Sequence, residues 1–90
     1  MDKKQYHALI QPALDIVVKK HEDYGNDDVG LHSYFPLGLP SYAQMLHVKT
    51  QRLVSFARDE REPNFESVKD TLLDLINYAV FTLDYLEQTE

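Results

Sequence analysis

N-F-E-S-V-K-D-T-L-L-D-L-I-N-Y-A-V-F-T-L-D-Y-L, residues 64–86, is the stretch that decides the fold. At about 100° per residue, Val68, Leu72, Leu75, Ile76, Ala79, Leu83 and Leu86 share one broad face. The spacing predicts a long helix that turns this face to the core. Glu66, Asp70, Asp74 and Asn77 form a second row on the far side. Acids four residues apart stack turn above turn, and each like-charge pair costs an isolated helix about 0.2–0.5 kcal/mol. A cation, a basic partner or water has to offset that repulsion. Acids opposite an apolar face ordinarily mark a solvated face. Here Leu73 and Phe81 lie within the row, and Asn77 is a weak helix former. The mixture points to a second packing surface, or to a polar site inside a bundle.

Working back from this helix, D-E-R-E at 59–62 reads as a charged turn. Pro63 then resets the chain and Asn64 supplies an N-cap. The preceding helix is expected over 41–58, opened by a Ser41–Gln44 capping box after Pro40. Tyr42, Met45, Leu46, Leu53, Phe56 and Ala57 share its apolar face, with Lys49 in the middle of the stripe and Arg52 at its edge. A lysine so placed either snorkels its head to water or pairs with an acid or a ligand phosphate. If it pairs, the acids of the last helix are within reach. The two helices form an antiparallel hairpin.

Residues 2–23 predict a first helix, with an Asp2–Gln5 capping box and Tyr6, Leu9, Ile10, Ala13, Leu14 and Val17 at helical spacing. Pro12 lacks the N–H and crowds the preceding turn, so a kink or a fresh start is expected at Gln11–Pro12. Lys19 and Lys20 suit the end of the helix dipole, and Gly25 is a good terminator. Residues 25–40 form a long irregular stretch with all three glycines and six large apolar residues. A loop of this length is usually functional or disordered, and its apolar content argues against disorder. It is expected to act as a lid, as a subunit contact or as a structural wrap. The fold class that results is all-α: one domain over 1–90, a three-helix chain with a long hairpin. Two packing faces on so short a chain imply that oligomerisation, most simply a dimer, completes a helical bundle.

Composition narrows the function. The net charge of −6 and the lack of any basic block exclude general nucleic-acid binding. They still allow a small anionic ligand held by local cations. With no cysteine there is neither a disulfide frame nor a thiolate zinc site. No signal peptide and no run of about 18 apolar residues is visible, so no membrane association and a cytoplasmic location are expected.

Glu66, Asp70 and Asp74 offer hard oxygens along one face, which suits Mg²⁺ shared with substrate phosphates. Zinc is poorly served, because His21, His32 and His47 form no H-x-x-x-H pair. No nucleophile elbow or P-loop is present. Lys49 and Arg52, three apart, point the same way and could hold a polyphosphate. Tyr24, Tyr34 or Phe35 could stack on a base.

H-E-D-Y-G-N at 21–26, K-T-Q-R-L at 49–53 and E-S-V-K-D-T-L-L-D-L-I-N-Y-A at 66–79 together resemble the nucleotide-modification-associated domain family, type one. The resemblance covers roughly residues 17–80. It implies a protein of phages or bacteria linked to nucleotide or DNA-base modification. The matching positions are Asp23, Tyr24, Gly25, Lys49, Arg52, Glu66, Asp70, Asp74, Asn77 and Tyr78. The last helix is also similar to all-α nucleoside-triphosphate pyrophosphohydrolases of the MazG and dimeric dUTPase kind. Those enzymes hold Mg²⁺ between an E-x-x-E helix and an E-x-x-D helix. This chain departs from them: residues 42–58 contain no acid, so whether it is an enzyme stays open.

Two functions follow as expectations. In the first, a phage-encoded protein in the host cytoplasm binds or processes a nucleotide. Lys49 and Arg52 contact phosphate, and Asp23, Tyr24, Asn77 and Tyr78 complete the substrate site. Glu66, Asp70 and Asp74 hold Mg²⁺ or clamp the basic pair. In the second, a non-enzymatic phage protein acts on a host or defence component, with the acids, Leu73 and Phe81 as its binding surface.

Overall fold

A computed structural model describes the backbone of residues 1–24, 31–58 and 65–89, and the side chains of all of these except 21–24. Three long helices carry the chain: α1 Lys3–Tyr24, α2 Leu39–Arg58 and α3 Phe65–Thr89, with a short 3₁₀ turn at Leu31–Tyr34 before α2. The chain is all-α, as its periodicity predicts. The charged turn at 59–62, Pro63, Asn64 and Gly25 lie outside the described residues.

The Asp2–Gln5 capping box forms as a reciprocal pair. Asp2 N–H donates to Gln5 Oε1 at 2.9 Å, and Gln5 N–H donates to Asp2 Oδ1 at 2.8 Å. Pro12 does not end the helix, because α1 runs on through it to Tyr24. The fresh start expected at Gln11–Pro12 is therefore absent. Pro12 forfeits the bond its N–H would give to the Ala8 carbonyl. The next residue, Ala13, is buried, and it receives a hydrogen bond from α3 that anchors this part of the helix.

α2 begins two residues before Ser41, so the Ser41–Gln44 box does not set its start. Gly38 does, at φ +68°. Its carbonyl accepts from Ser41 N–H at 2.9 Å and from Tyr42 N–H at 3.4 Å. The Ser41 hydroxyl oxygen reaches backward and accepts from Leu37 N–H at 3.0 Å. Pro40 sits in the first turn, where a missing N–H costs nothing.

α2 and α3 run antiparallel. Tyr42 at the start of α2 meets Tyr85 near the end of α3, with ring centroids 5.3 Å apart, while Lys49 meets Asp74 midway. α1 packs on α3 where Ala13 meets Asn77.

The face of α3 that turns inward is not the one its aliphatic residues predict. Thr71, Leu73 and Asn77 are buried, and Asp74, Tyr78, Phe81 and Tyr85 are half-buried beside them. Leu72, Ala79, Leu83 and Leu86, from the expected core stripe, are exposed. The cause lies on α2, which presents Lys49 and Tyr42. A half-buried ammonium or a buried phenol needs a polar partner: Asp74 of α3 pairs with Lys49, and the Tyr42 hydroxyl meets His32, which Asp84 of α3 holds in turn. The threonines on this side satisfy their hydroxyls within the helix. Thr71 donates to the Ser67 carbonyl at 2.8 Å and Thr82 to the Tyr78 carbonyl at 2.7 Å. Leu73 is buried and Phe81 half-buried on this side, so they serve as packing and not as the exposed surface that the interaction-protein reading expects. No described helix is long and apolar enough to cross a membrane.

Candidate functional site

Lys49 occupies the centre of the inward face of α2, one turn from Leu46 and one from Leu53. Its Nζ lies 3.0 Å from Asp74 Oδ2 on α3. The Lys49 side chain is 19% exposed and that of Asp74 36%, so the pair stands at the rim of the helix interface. Of the three acids Glu66, Asp70 and Asp74 that the spacing puts within reach of Lys49, Asp74 is the one it meets. Asp70 and Glu66, one and two turns earlier, are exposed.

Arg52 does not join these acids. It is exposed, and its guanidinium carbon lies 5.6 Å from the centroid of the Phe56 ring one turn on. That geometry is a cation–π contact, and it leaves the edge of the fork open to solvent. Asn77 is taken up in the fold, where its Nδ2 donates to the Ala13 carbonyl at 3.1 Å. Tyr78 packs edge-on against Phe35 and Phe81, at 6.2 and 5.9 Å between centroids. Both are thus engaged in packing contacts of α3. The side chains of Asp23 and Tyr24 lie outside the described residues. Among the described residues, no three histidine or acidic side chains converge on one point. The row Glu66, Asp70 and Asp74 is a file along one helix, not a preformed metal cage.

A second polar cluster has no motif in the sequence. His32, on the 3₁₀ turn, stands between Tyr42 and Asp84. Its Nε2 lies 2.8 Å from Asp84 Oδ2, and its Nδ1 meets the Tyr42 hydroxyl. A carboxylate only accepts, so Nε2 carries the proton. In the neutral ring Nδ1 is then bare and takes the phenolic O–H of Tyr42. Phe35 stacks on Tyr42 with centroids 4.1 Å apart and planes 17° from parallel. Tyr42 is 0% exposed. Burial first, then the neighbouring Tyr85 and Asp84, raises its pKa above the ordinary 10.0. A phenol so enclosed cannot meet a substrate, and the cluster pins the segment before α2 across both helices of the hairpin. Phe35, weighed as a base-stacking ring, is already stacked. No signal in the sequence could have joined His32 to Asp84, fifty-two residues away.

A shallow depression of about 420 Å³ lies on the opposite side of α2, lined by Gln51, Val54, Ser55 and Arg58. All four come from one helix, and at 100° per residue they face away from Lys49.

The family described as nucleotide modification associated domain 1 matches residues 20–86. No curated protein and no solved structure matches the chain.

Proposed function

Since the chain belongs to the nucleotide modification associated domain 1 family, we propose that it binds a nucleotide at the rim of the α2/α3 interface, with Lys49 and Arg52 as its phosphate contacts. The observation that carries this is the Lys49–Asp74 pair, an ammonium fixed by a carboxylate in the middle of an otherwise apolar helix face. The stem is already ordered, so little side-chain entropy remains to be lost when an anion arrives. Arg52 adds a planar fork, suited to bidentate phosphate contact.

Asp74 would repel an incoming phosphate. A divalent cation bridging Asp74 or Asp70 to the phosphate oxygens removes that repulsion, which is how Mg²⁺ commonly enters nucleotide sites. With no three such groups converging among the described residues, the cation comes in with the polyphosphate. Asn77 and Tyr78 act indirectly, by fixing α3 against α1 and against Phe35. The proposal is one of binding and names no reaction.

Thermal melts against a panel of nucleoside mono-, di- and triphosphates, each with and without Mg²⁺, test it. Ligand that binds only the folded chain raises the midpoint by mass action, by about 2.7 kcal/mol at a hundred times Kd. The expected result is a shift that needs both phosphate and cation. No shift with any member of the panel overturns the proposal.

A further inference from the structure

α3 carries its most apolar face outward. Phe65 is 75% exposed, Leu83 62% and Leu72 44%, and Ala79 and Leu86 are exposed along the same stripe. The whole chain shows the same excess. It exposes 7375 Å², against about 5,400 Å² for a folded monomer of 10.5 kDa. The surplus, roughly 1,900 Å², is spread over the whole chain, and the outer face of α3 supplies part of the ~1,000–2,500 Å² that each partner of an obligate homodimer buries. The radius of gyration, 14.9 Å, likewise exceeds the roughly 12 Å of a compact chain of this length.

The edge of the stripe indicates what covers it. Lys69 and Glu87 are both exposed and stand eighteen residues, or about five full turns, apart, so they lie on one edge of α3. A twofold axis that sets two copies of α3 antiparallel brings like edges together. With the axis near Tyr78 and Ala79, midway between the two charges, Lys69 of one copy falls beside Glu87 of the other, and the reverse pair repeats at the far end. The small Ala79 at the centre lets the two helices approach closely. The face is thus complementary to itself in shape, apolarity and charge, as an isologous contact requires.

We propose that a second copy of this chain packs antiparallel on the outer face of α3, with Leu72, Ala79, Leu83 and Leu86 in the contact and Lys69–Glu87 pairs at its two ends. This assembly does not depend on the nucleotide site, which opens on the other side of α3.

Sedimentation equilibrium of the whole chain at micromolar concentration tests it. The wild type should run at twice the 10.5 kDa chain mass. Leu83→Glu should run at the chain mass. Lys69→Glu should weaken the dimer several-fold, and adding Glu87→Lys should restore it. Both charge changes lie on the exposed surface, so they remain informative if Leu83→Glu fails to fold. A wild type at the chain mass overturns the proposal, as does a Leu83→Glu variant that remains dimeric. A double charge reversal no better than the single one overturns the antiparallel arrangement.

Discussion

The ammonium of Lys49 stands 3.0 Å from the carboxylate of Asp74, across the interface between α2 and α3. Lys49 sits amid Tyr42, Leu46, Leu53 and Phe56, a face that would otherwise be purely hydrophobic. The pair fixes which side of α3 faces α2, and it leaves one cation at a rim that solvent can reach.

Breaking this pair should cost stability in a coupled way. Lys49→Met and Asp74→Asn should each destabilise by about 1–2 kcal/mol, below the ~3–5 kcal/mol of a fully buried pair because Asp74 is over a third exposed. The double change should cost less than the two singles added, with a coupling of about 1 kcal/mol. Asp70→Asn, at an exposed position, should show no coupling to Lys49→Met. Urea denaturation of the wild type, the three single variants and the two doubles that carry Lys49→Met measures this.

Asn77 should matter to folding through a single bond. Its amide donates to the Ala13 carbonyl inside the α1/α3 contact. Asn77→Ala leaves a small void and an unmet interaction, and should cost about 1–3 kcal/mol. Ala13→Leu, at a residue 1% exposed, should cost about 1–3 kcal/mol by overpacking. Helix content followed during thermal melting reads both.

Gly38 should not tolerate a side chain. At φ +68° a Cβ is strained by roughly 1–2 kcal/mol, and it would lie 2.5 Å from the Tyr85 hydroxyl. Gly38→Ala should lower the melting midpoint by more than 4 °C, given about 4–8 °C per kcal/mol for a domain of this size. Tyr85→Phe should relieve part of that loss.

Alkali should unfold the chain through Tyr42. Its pKa is raised in the fold, by burial before Tyr85 and Asp84. The unfolded phenol therefore gives up its proton first. Stability is fully present below about pH 10 and is lost as pH climbs from the unfolded pKa toward the folded one. Tyr42→Phe should lower stability near neutrality by about 1 kcal/mol, through the lost bond to His32, and should flatten the decline above pH 10. Denaturation midpoints from pH 8 to 11 decide it.

The helices were legible in the sequence because periodicity and end signals are local. Asp2 and Gln5 cap α1 as their spacing predicts, and Lys49 finds an acid of α3. The inward face of α3 was legible only in part: Leu73, Asn77 and Phe81 mark the second packing surface that their row predicts, but the exposure of Leu72, Ala79, Leu83 and Leu86 was not legible. Leu72, Leu83 and Leu86 belong to the aliphatic stripe, yet the side with Tyr78, Phe81 and Tyr85 offers ring area together with Asp74 for Lys49 and Asp84 for His32. Which face wins depends on what α2 and the 3₁₀ turn present, and no window of α3 contains that information. The same holds for Gly38, whose role rests on Tyr85, forty-seven residues on.

The nucleotide site is the central claim, and a titration followed residue by residue tests it most directly. Amide and lysine-side-chain NMR spectra of the chain, recorded with increasing nucleoside triphosphate and Mg²⁺, should show saturable shifts concentrated at Lys49, Arg52, Asp70 and Asp74, and these should vanish in Lys49→Met. Spectra that do not change, shifts confined to the Gln51–Arg58 side of α2, or equal binding by Lys49→Met would contradict it.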